Sequence, residues 1–372
     1  MDLSDPGRAA RRADIDAKQA ILARLLADLQ CEAVVLLTPA HVAWFTGGMN
    51  VRGLIAEGER PGIYTNGRQR WLLCSNTDTQ RLFDEELDGL GFMLKEWQWA
   101  SGRATLLGEL VVNKKVASDR PYPAMPLINE KLRPILRPLM PSDIARFREL
   151  GRMVAHALEA TARKIERGET EEDVAGALAH RIFHRGAEAH AISVTAEGRG
   201  GTFRRAGYTR TKVETVCTLQ ATAGRDGLFA TASRTVCFGP PSDAYRADYD
   251  AACKVAAVDR LESRPGGTVA AAVDTACSML KNTPFEHEWR LSPAGYGTGW
   301  FPADELRKAG IDEKFVAEQA IVWQARVGAA GIVDTVLVGD RASAVITPTE
   351  QWPFKRVTLA GASHHIPDLL VL

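Results

Sequence analysis

The sequence predicts an α+β protein of two domains, and three observations carry that prediction: its length, a change of pattern near residue 139, and the strands on either side. The chain has 372 residues, more than one average hydrophobic core organises. Before residue 139 helical and strand-like stretches alternate, the pattern of a small mixed sheet flanked by helices. After it, pairs of long amphipathic helices are separated by blocks of hairpin-joined strands. The expected domains are residues 1–138 and 139–372, with the three prolines of RPILRPLMP (133–141) marking the linker.

In the first part, DIDAKQAILARLLADLQ (14–30) carries apolar residues at helical spacing and leads into the β-like run CEAVVLLT (31–38). HVAWFTGG (41–48) reads as a short helix stopped by glycines. GIYTNGRQRWLLCS (62–75) reads as a hairpin, with Asn66–Gly67 expected in a type I′ turn. TDTQRLFDEEL (77–87) is expected helical and GFMLKEWQW (91–99) a strand. In the second part a long amphipathic helix is expected over 142–168, capped by Ser142 and stopped by Gly168. The next is expected to start at Thr170, with Glu171, Glu172 and Asp173 in its first turn, where the helix dipole favours acids. Strands follow at 190–196, 213–221 and 228–238, helices at 245–261 and 267–282, then the β-rich runs QAIVWQARV, GIVDTVLVGD and SAVITPTE.

Lys plus Arg and Asp plus Glu both total 46, so no global charge points to nucleic acid or to an anionic membrane. Residues 33–51 are uncharged, but Pro39, His41, Gly47, Gly48 and Asn50 fit a strand–loop–helix passage better than a membrane span. The polar start MDLSDPGRAARRADIDAKQ lacks a leader pattern, so a cytoplasmic location is expected. The six cysteines are scattered without a CxxC pair and are expected to be free, mostly buried thiols.

The stretch LQATAGRDGLFATASRTVCFG (219–239) reads as a hairpin turning at Gly224–Gly227, with Asp226 at the tip. With TPAHVAWFTGG (38–48), AGYGTGW (294–300) and GIVDTVLVGD (331–340), it resembles the superfamily of creatinase, Xaa-Pro dipeptidase and methionine aminopeptidase. That resemblance covers nearly the whole chain. It implies a creatinase-like N-terminal α/β domain followed by a pita-bread domain, and a homodimer. It also implies where peptidases of the superfamily hold two metal ions with two Asp, one His and two Glu. Those positions fall here at Gln220, Thr231, Tyr296, Gln324 and Val333. Neutral donors and a valine do not supply the charge that holds divalent cations, so no metal and no cofactor are expected. Creatinase works without metal through a histidine, and that position falls at Arg205, which stays protonated and cannot act as a base.

What the resemblance leaves is a polar, cationic pocket. Tyr296, Arg205, Gln220 and Gln324 are the candidate catalytic residues, with Tyr296 as proton carrier or, alternatively, as a ring plugging the vacated cavity. Arg204, Tyr208, Thr231 and Glu197 are candidate substrate-binding residues, although one of two adjacent arginines in an extended chain must point away. Glu197 could act as a base, but a loop salt bridge to Arg199 or Arg204 is the favoured reading. By resemblance to creatinase-like dimers, Arg52 and Arg60 would reach a partner's site. The leading expectation is a metal-independent enzyme breaking a C–N bond in a small, anionic, nitrogen-containing substrate. The alternative is a non-catalytic pita-bread protein that binds a peptide, metabolite or protein partner. A third, a metallopeptidase with a displaced ligand set, would need a different cluster of acids.

Overall fold

The computed structural model describes residues 6–51, 55–308, 311–349 and 351–372. The chain divides into two compact units, Met1–Leu136 with Met140–Asp143 and Arg137–Leu139 with Ile144–Leu372.

The first unit contains α1 (Pro6–Asp28), β1 (Ala33–Leu36), α2 (Pro39–Thr46), β2 (Gly62–Thr65), β3 (Arg70–Ser75), a short α3 (Thr79–Arg81), β4 (Met93–Trp97), α4 (Arg103–Leu110), β5 (Val116–Ser118) and α5 (Asn129–Leu136). Its strands form one mixed sheet in the order β4-β3-β2-β1-β5, with the β1–β5 and β3–β4 pairs parallel. All four residues of β1 are buried, which is why that strand is an unbroken apolar run. The glycine stop after α2 forms as expected, with Gly47 left-handed at φ 63.

Three local expectations change. Asn66 is not in the left-handed region, so the β2–β3 turn is not type I′. Residues 66–69 form a four-residue loop in which the Asn66 side chain accepts from the amides of Arg68 and Gln69 at 3.0 and 2.8 Å. Ser142 does not cap the long helix: Pro141 opens it, and the Ser142 hydroxyl donates to Asp14 at 2.8 Å. The first proline-rich residues belong to α5, which accommodates Pro134 and ends two residues later.

The second unit holds most of α6 (Pro141–Ala162), then α7 (Glu171–His184), β6 (Glu188–Ala196), β7 (Val216–Arg225), β8 (Leu228–Cys237), α8 (Asp243–Glu262), α9 (Val269–Leu280), β9 (Gly295–Thr298), the two-residue strands β10 (Arg307–Lys308) and β11 (Ile311–Asp312), β12 (Ala320–Val327), β13 (Ala330–Leu337), β14 (Ala344–Val345), β15 (Phe354–Leu359), β16 (Ala362–Pro367) and β17 (Leu370–Val371). The helix expected to run to Gly168 ends at Ala162. The Thr170 capping box forms with Asp173. Two four-stranded sheets, β17-β8-β7-β6 and β14-β13-β12-β9, carry the site. They meet where the Thr335 hydroxyl on β13 accepts from the Thr231 amide at 2.8 Å and donates to its carbonyl at 2.7 Å. A side chain thus completes hydrogen bonds that a neighbouring strand would otherwise make. The Phe229 amide adds a bond to Gly299 across the same seam.

The hairpin of β7 and β8 closes on Asp226 and Gly227, both at positive φ (52 and 76), between the pair Arg225 and Leu228. Two left-handed residues make the tight turn whose twist matches the strands. Behind β12, α8 lays the small residues Ala252, Cys253, Ala256 and Ala257 against Ala325 and Val327. That close approach leaves the opposite face of β12, with Gln324 and Arg326, turned towards β7. All six cysteines are free, and four are buried. Among the described residues no helix is long and apolar enough to cross a membrane.

Candidate functional site

Strand periodicity gathers the site. Gln220 pairs with Ser233 and Thr222 with Thr231, so these four side chains share one face of the β7–β8 hairpin. Tyr296 pairs with Val322, which puts it on the same face of the second sheet as Gln324 and Arg326. The two faces enclose a cavity of about 210 Å³, whose lining includes Ser193, Arg204, Arg205, Gln220, Thr222, Gln324 and Arg326.

Arg326, which the sequence reading passed over, is the centre of this arrangement. Its guanidinium donates to the Gln220 side-chain oxygen at 2.9 Å, and its Nε is buried without a partner. No carboxylate pairs with it among the described residues. Burial holds its pKa below the usual arginine value, and Arg204 lowers it further. The signal for it lay in the spacing: two residues after Gln324 on a strand is the same face.

Arg204 and Arg205 lie in a turn rather than on a strand, and both line the cavity, so neither points away as an extended chain would require. Arg204 is held by Glu288 at 2.8 Å and by the Gly328 carbonyl at 2.9 Å. Gly328 has to be glycine, because it sits at φ 54 and a Cβ there would lie 2.1 Å from Asp248. Arg205 is exposed and lines the cavity with no ion pair among the described residues. Three guanidinium groups therefore share one small cavity and only one has an acid. The loop that carries Arg204 and Arg205 is anchored by Glu171, the first residue of α7 and 0% exposed. Its carboxylate accepts from the amides of Ala196 and Thr209, at 2.7 Å each, and from Arg199 at 3.1 Å. Glu171 is thus a buried anchor rather than a dipole-complementing surface acid.

The remaining sequence candidates fall in different places. Tyr296 brings its hydroxyl towards Thr231 and Thr222, whose own hydroxyls are 2.8 Å apart. Burial raises its pKa, so the phenol keeps its proton through the neutral range. Thr231 is fully buried in this hydroxyl cluster and does not line the cavity. Glu197 is turned away from the cavity. Its carboxylate accepts from the amides of Glu214, Thr215 and Val216 and from the Thr215 hydroxyl, forming neither of the salt bridges envisaged for it. Burial pushes its pKa up, but those hydrogen bonds outweigh it and hold the group below its usual value. Tyr208 is half exposed and outside the lining. In the first unit Arg60 is partly exposed beside Glu57 at 3.5 Å, and Arg52 lies outside the described residues. Val333 is buried, and its amide donates to Ser233 at 2.8 Å. Asp334 is structural: it takes Arg260 at 2.7 Å and lies 3.6 Å from Arg234, which also pairs with Glu159 at 3.1 Å.

Divalent cations are held by carboxylates and imidazoles, and the five positions offer two amides, a threonine hydroxyl, a protonated phenol and a valine. A guanidinium 2.9 Å from one of those amides adds positive charge where a cation would need negative. The residues present do not fit a metal pair. Among the described residues no group of three or more His, Cys, Asp or Glu could hold an ion elsewhere.

The model of metallopeptidase family M24 matches residues 145–339. Among solved structures, the chain superimposes on X-Pro aminopeptidase from Thermotoga maritima MSB8 with a TM-score of 0.74 at 16% identity, covering 95% of this chain and 99% of that one. Prolidase from Pyrococcus furiosus gives 0.72 at 15%, covering 88% and 100%. Xaa-Pro dipeptidase from Bacillus anthracis gives 0.70 at 16%, covering 96% and 100%. No curated protein matches the sequence. At these identities the likeness establishes the fold, and the expected pita-bread fold with its N-terminal α/β domain is the fold found.

Proposed function

We propose, from the premise that this chain belongs to metallopeptidase family M24, that its central cavity binds a small anion with guanidinium and hydroxyl groups where relatives in the superfamily use metal ions. One observation carries the reading: Arg326 is inside the cavity, bonded only to the neutral Gln220, and without a carboxylate among the described residues. A buried charge without a counter-charge is costly, and an anionic ligand supplies the missing partner. Arg205 adds a second unpaired guanidinium at the solvent side, Ser193 and Thr222 add hydroxyls, and the amides of Gln220 and Gln324 orient the ligand. A volume of about 210 Å³ suits a small metabolite or the terminal group of a larger one.

The lining favours recognition over turnover. C–N hydrolysis or elimination without metal needs a proton acceptor, and the cavity lining contains no histidine, carboxylate or thiol. Tyr296, kept protonated by burial, can donate a proton or a hydrogen bond but cannot take up a proton at neutral pH. The reading is therefore an anion-binding protein on a pita-bread scaffold, metal-independent and acting as a homodimer as the resemblance implies. Calorimetric titration with phosphate, sulfate and short carboxylates tests it. Saturable binding that weakens with salt and is about 30-fold weaker in Arg326→Met is expected; no saturable binding of any of these anions refutes it.

A further inference from the structure

A second, smaller compartment lies beside the anion cavity and shares two of its walls. It has about 50 Å³ of space, enough for a group of one or two heavy atoms, and it lies between α8, α9 and the loop before β9. Gln324 and Arg326 line both spaces, so the compartment and the cavity meet at these two side chains. Val255, Leu280 and Val327 give it apolar walls.

At its wall is Asp259 of α8, 2% exposed. The Asp259 Oδ2 is buried and has no hydrogen-bond partner, and no ion pair reaches the carboxyl among the described residues. Buried polar groups are almost always hydrogen-bonded, so an orphaned acceptor is destabilising unless a ligand supplies the donor. Arg326 also lines the compartment, but its guanidinium donates to Gln220 and makes no ion pair with Asp259. Glu286 and Glu288 also border the compartment, so its polar character is acidic where the adjoining cavity is basic.

Resting on the anion-binding reading, we infer that this compartment is a subsite for an N–H-bearing group, an ammonium or a primary amide, on the same ligand whose anionic end meets Arg326. Asp259 is then the acceptor that selects for it. The ligand class becomes a short molecule with an anion at one end and a nitrogen donor at the other. Size limits the donor end: the apolar walls leave no room for a branched or aromatic group.

Matched probes test this: ω-amino carboxylates of increasing chain length against the same carboxylates without the amine, titrated into the full-length protein. At one chain length the amine should improve affinity by about tenfold or more, the worth of one hydrogen bond from a charged ammonium. That preference ratio should collapse towards one in Asp259→Asn. It should also collapse in Ala276→Met, which fills the compartment from α9 while leaving the carboxyl in place. Equal binding of amine-bearing and amine-free probes by the unaltered protein overturns the inference while the anion site stands. A preference that survives both substitutions overturns the role of Asp259 and of the compartment. Failure of every carboxylate to bind removes the anion reading itself, and the inference with it.

Discussion

Replacing Arg326 with methionine separates a charge kept for a ligand from a charge kept for the fold. The substitution preserves most of the side-chain volume and removes the guanidinium. In the ligand-free protein it takes a donor from Gln220, a loss of about 1 kcal/mol. It also removes a charge that burial and Arg204 both disfavour, which offsets that loss. The ligand-free stability of Arg326→Met should therefore stay within about 1 kcal/mol of the parent. Binding should behave differently. A charge-assisted hydrogen bond contributes about 1.5–3 kcal/mol, so the affinity for phosphate or sulfate should fall about 30-fold for a loss near 2 kcal/mol. Urea unfolding without ligand and calorimetric titration of the same preparations measure the two terms. A ligand-free loss of about 3 kcal/mol or more, the mark of a broken buried pair, would refute the reasoning. So would an anion affinity that changes by less than about threefold.

Arg234→Met supplies the contrast: it takes the ion-pair partner from Glu159 and one of two arginines from Asp334, and should cost about 3–5 kcal/mol in the same unfolding assay. Glu171→Gln should loosen the 196–209 loop, lowering stability by about 1–3 kcal/mol and weakening anion binding together, as read by unfolding and titration. Asp259 gives a pH signature. Burial raises its folded pKa, against a smaller lowering by Arg260, so the folded chain keeps a proton that the unfolded chain releases above about 3.9. Its contribution is present below that pH and is lost as pH rises through the folded value. Asp259→Asn should therefore be more stable than the parent at neutral pH, with the gap closing towards pH 4 in parallel urea titrations. Tyr296→Phe removes the hydroxyl beside Thr231 and Thr222 but keeps the ring. A stability change of about 1 kcal/mol with anion binding intact supports a filling role, whereas loss of binding assigns the hydroxyl to the ligand.

The architecture was legible because it rests on periodicity. Alternation in 219–237 puts Gln220 and Thr231 on one face, and the Asp226–Gly227 turn sets the register that keeps them there. Capping chemistry at Thr170 and the glycine stop at Gly47 are equally local, and both form. The site was legible only where a position matched the superfamily's pattern. Arg326 matched no motif position, although its place two residues after Gln324 puts it on the cavity face. Asp259 sits in the small-residue stripe of α8 with Ala252 and Ala256, an acid on an apolar face, and that anomaly was readable. Glu197 could not be placed from sequence, because its partners are the amides of 214–216, brought to it by the chain path rather than by spacing. The fate of Arg204 depended likewise on Glu288, 84 residues away.

The central claim is that positive side-chain charge has taken the place of metal in this cavity. The most direct measurement is calorimetric titration of the purified, chelator-treated protein with manganese(II), and with phosphate in a parallel cell. The account predicts one saturable phosphate site and no manganese binding at the cavity, with phosphate binding about 30-fold weaker in Arg326→Met. Stoichiometric manganese binding that survives Arg326→Met, with no phosphate site, would contradict it.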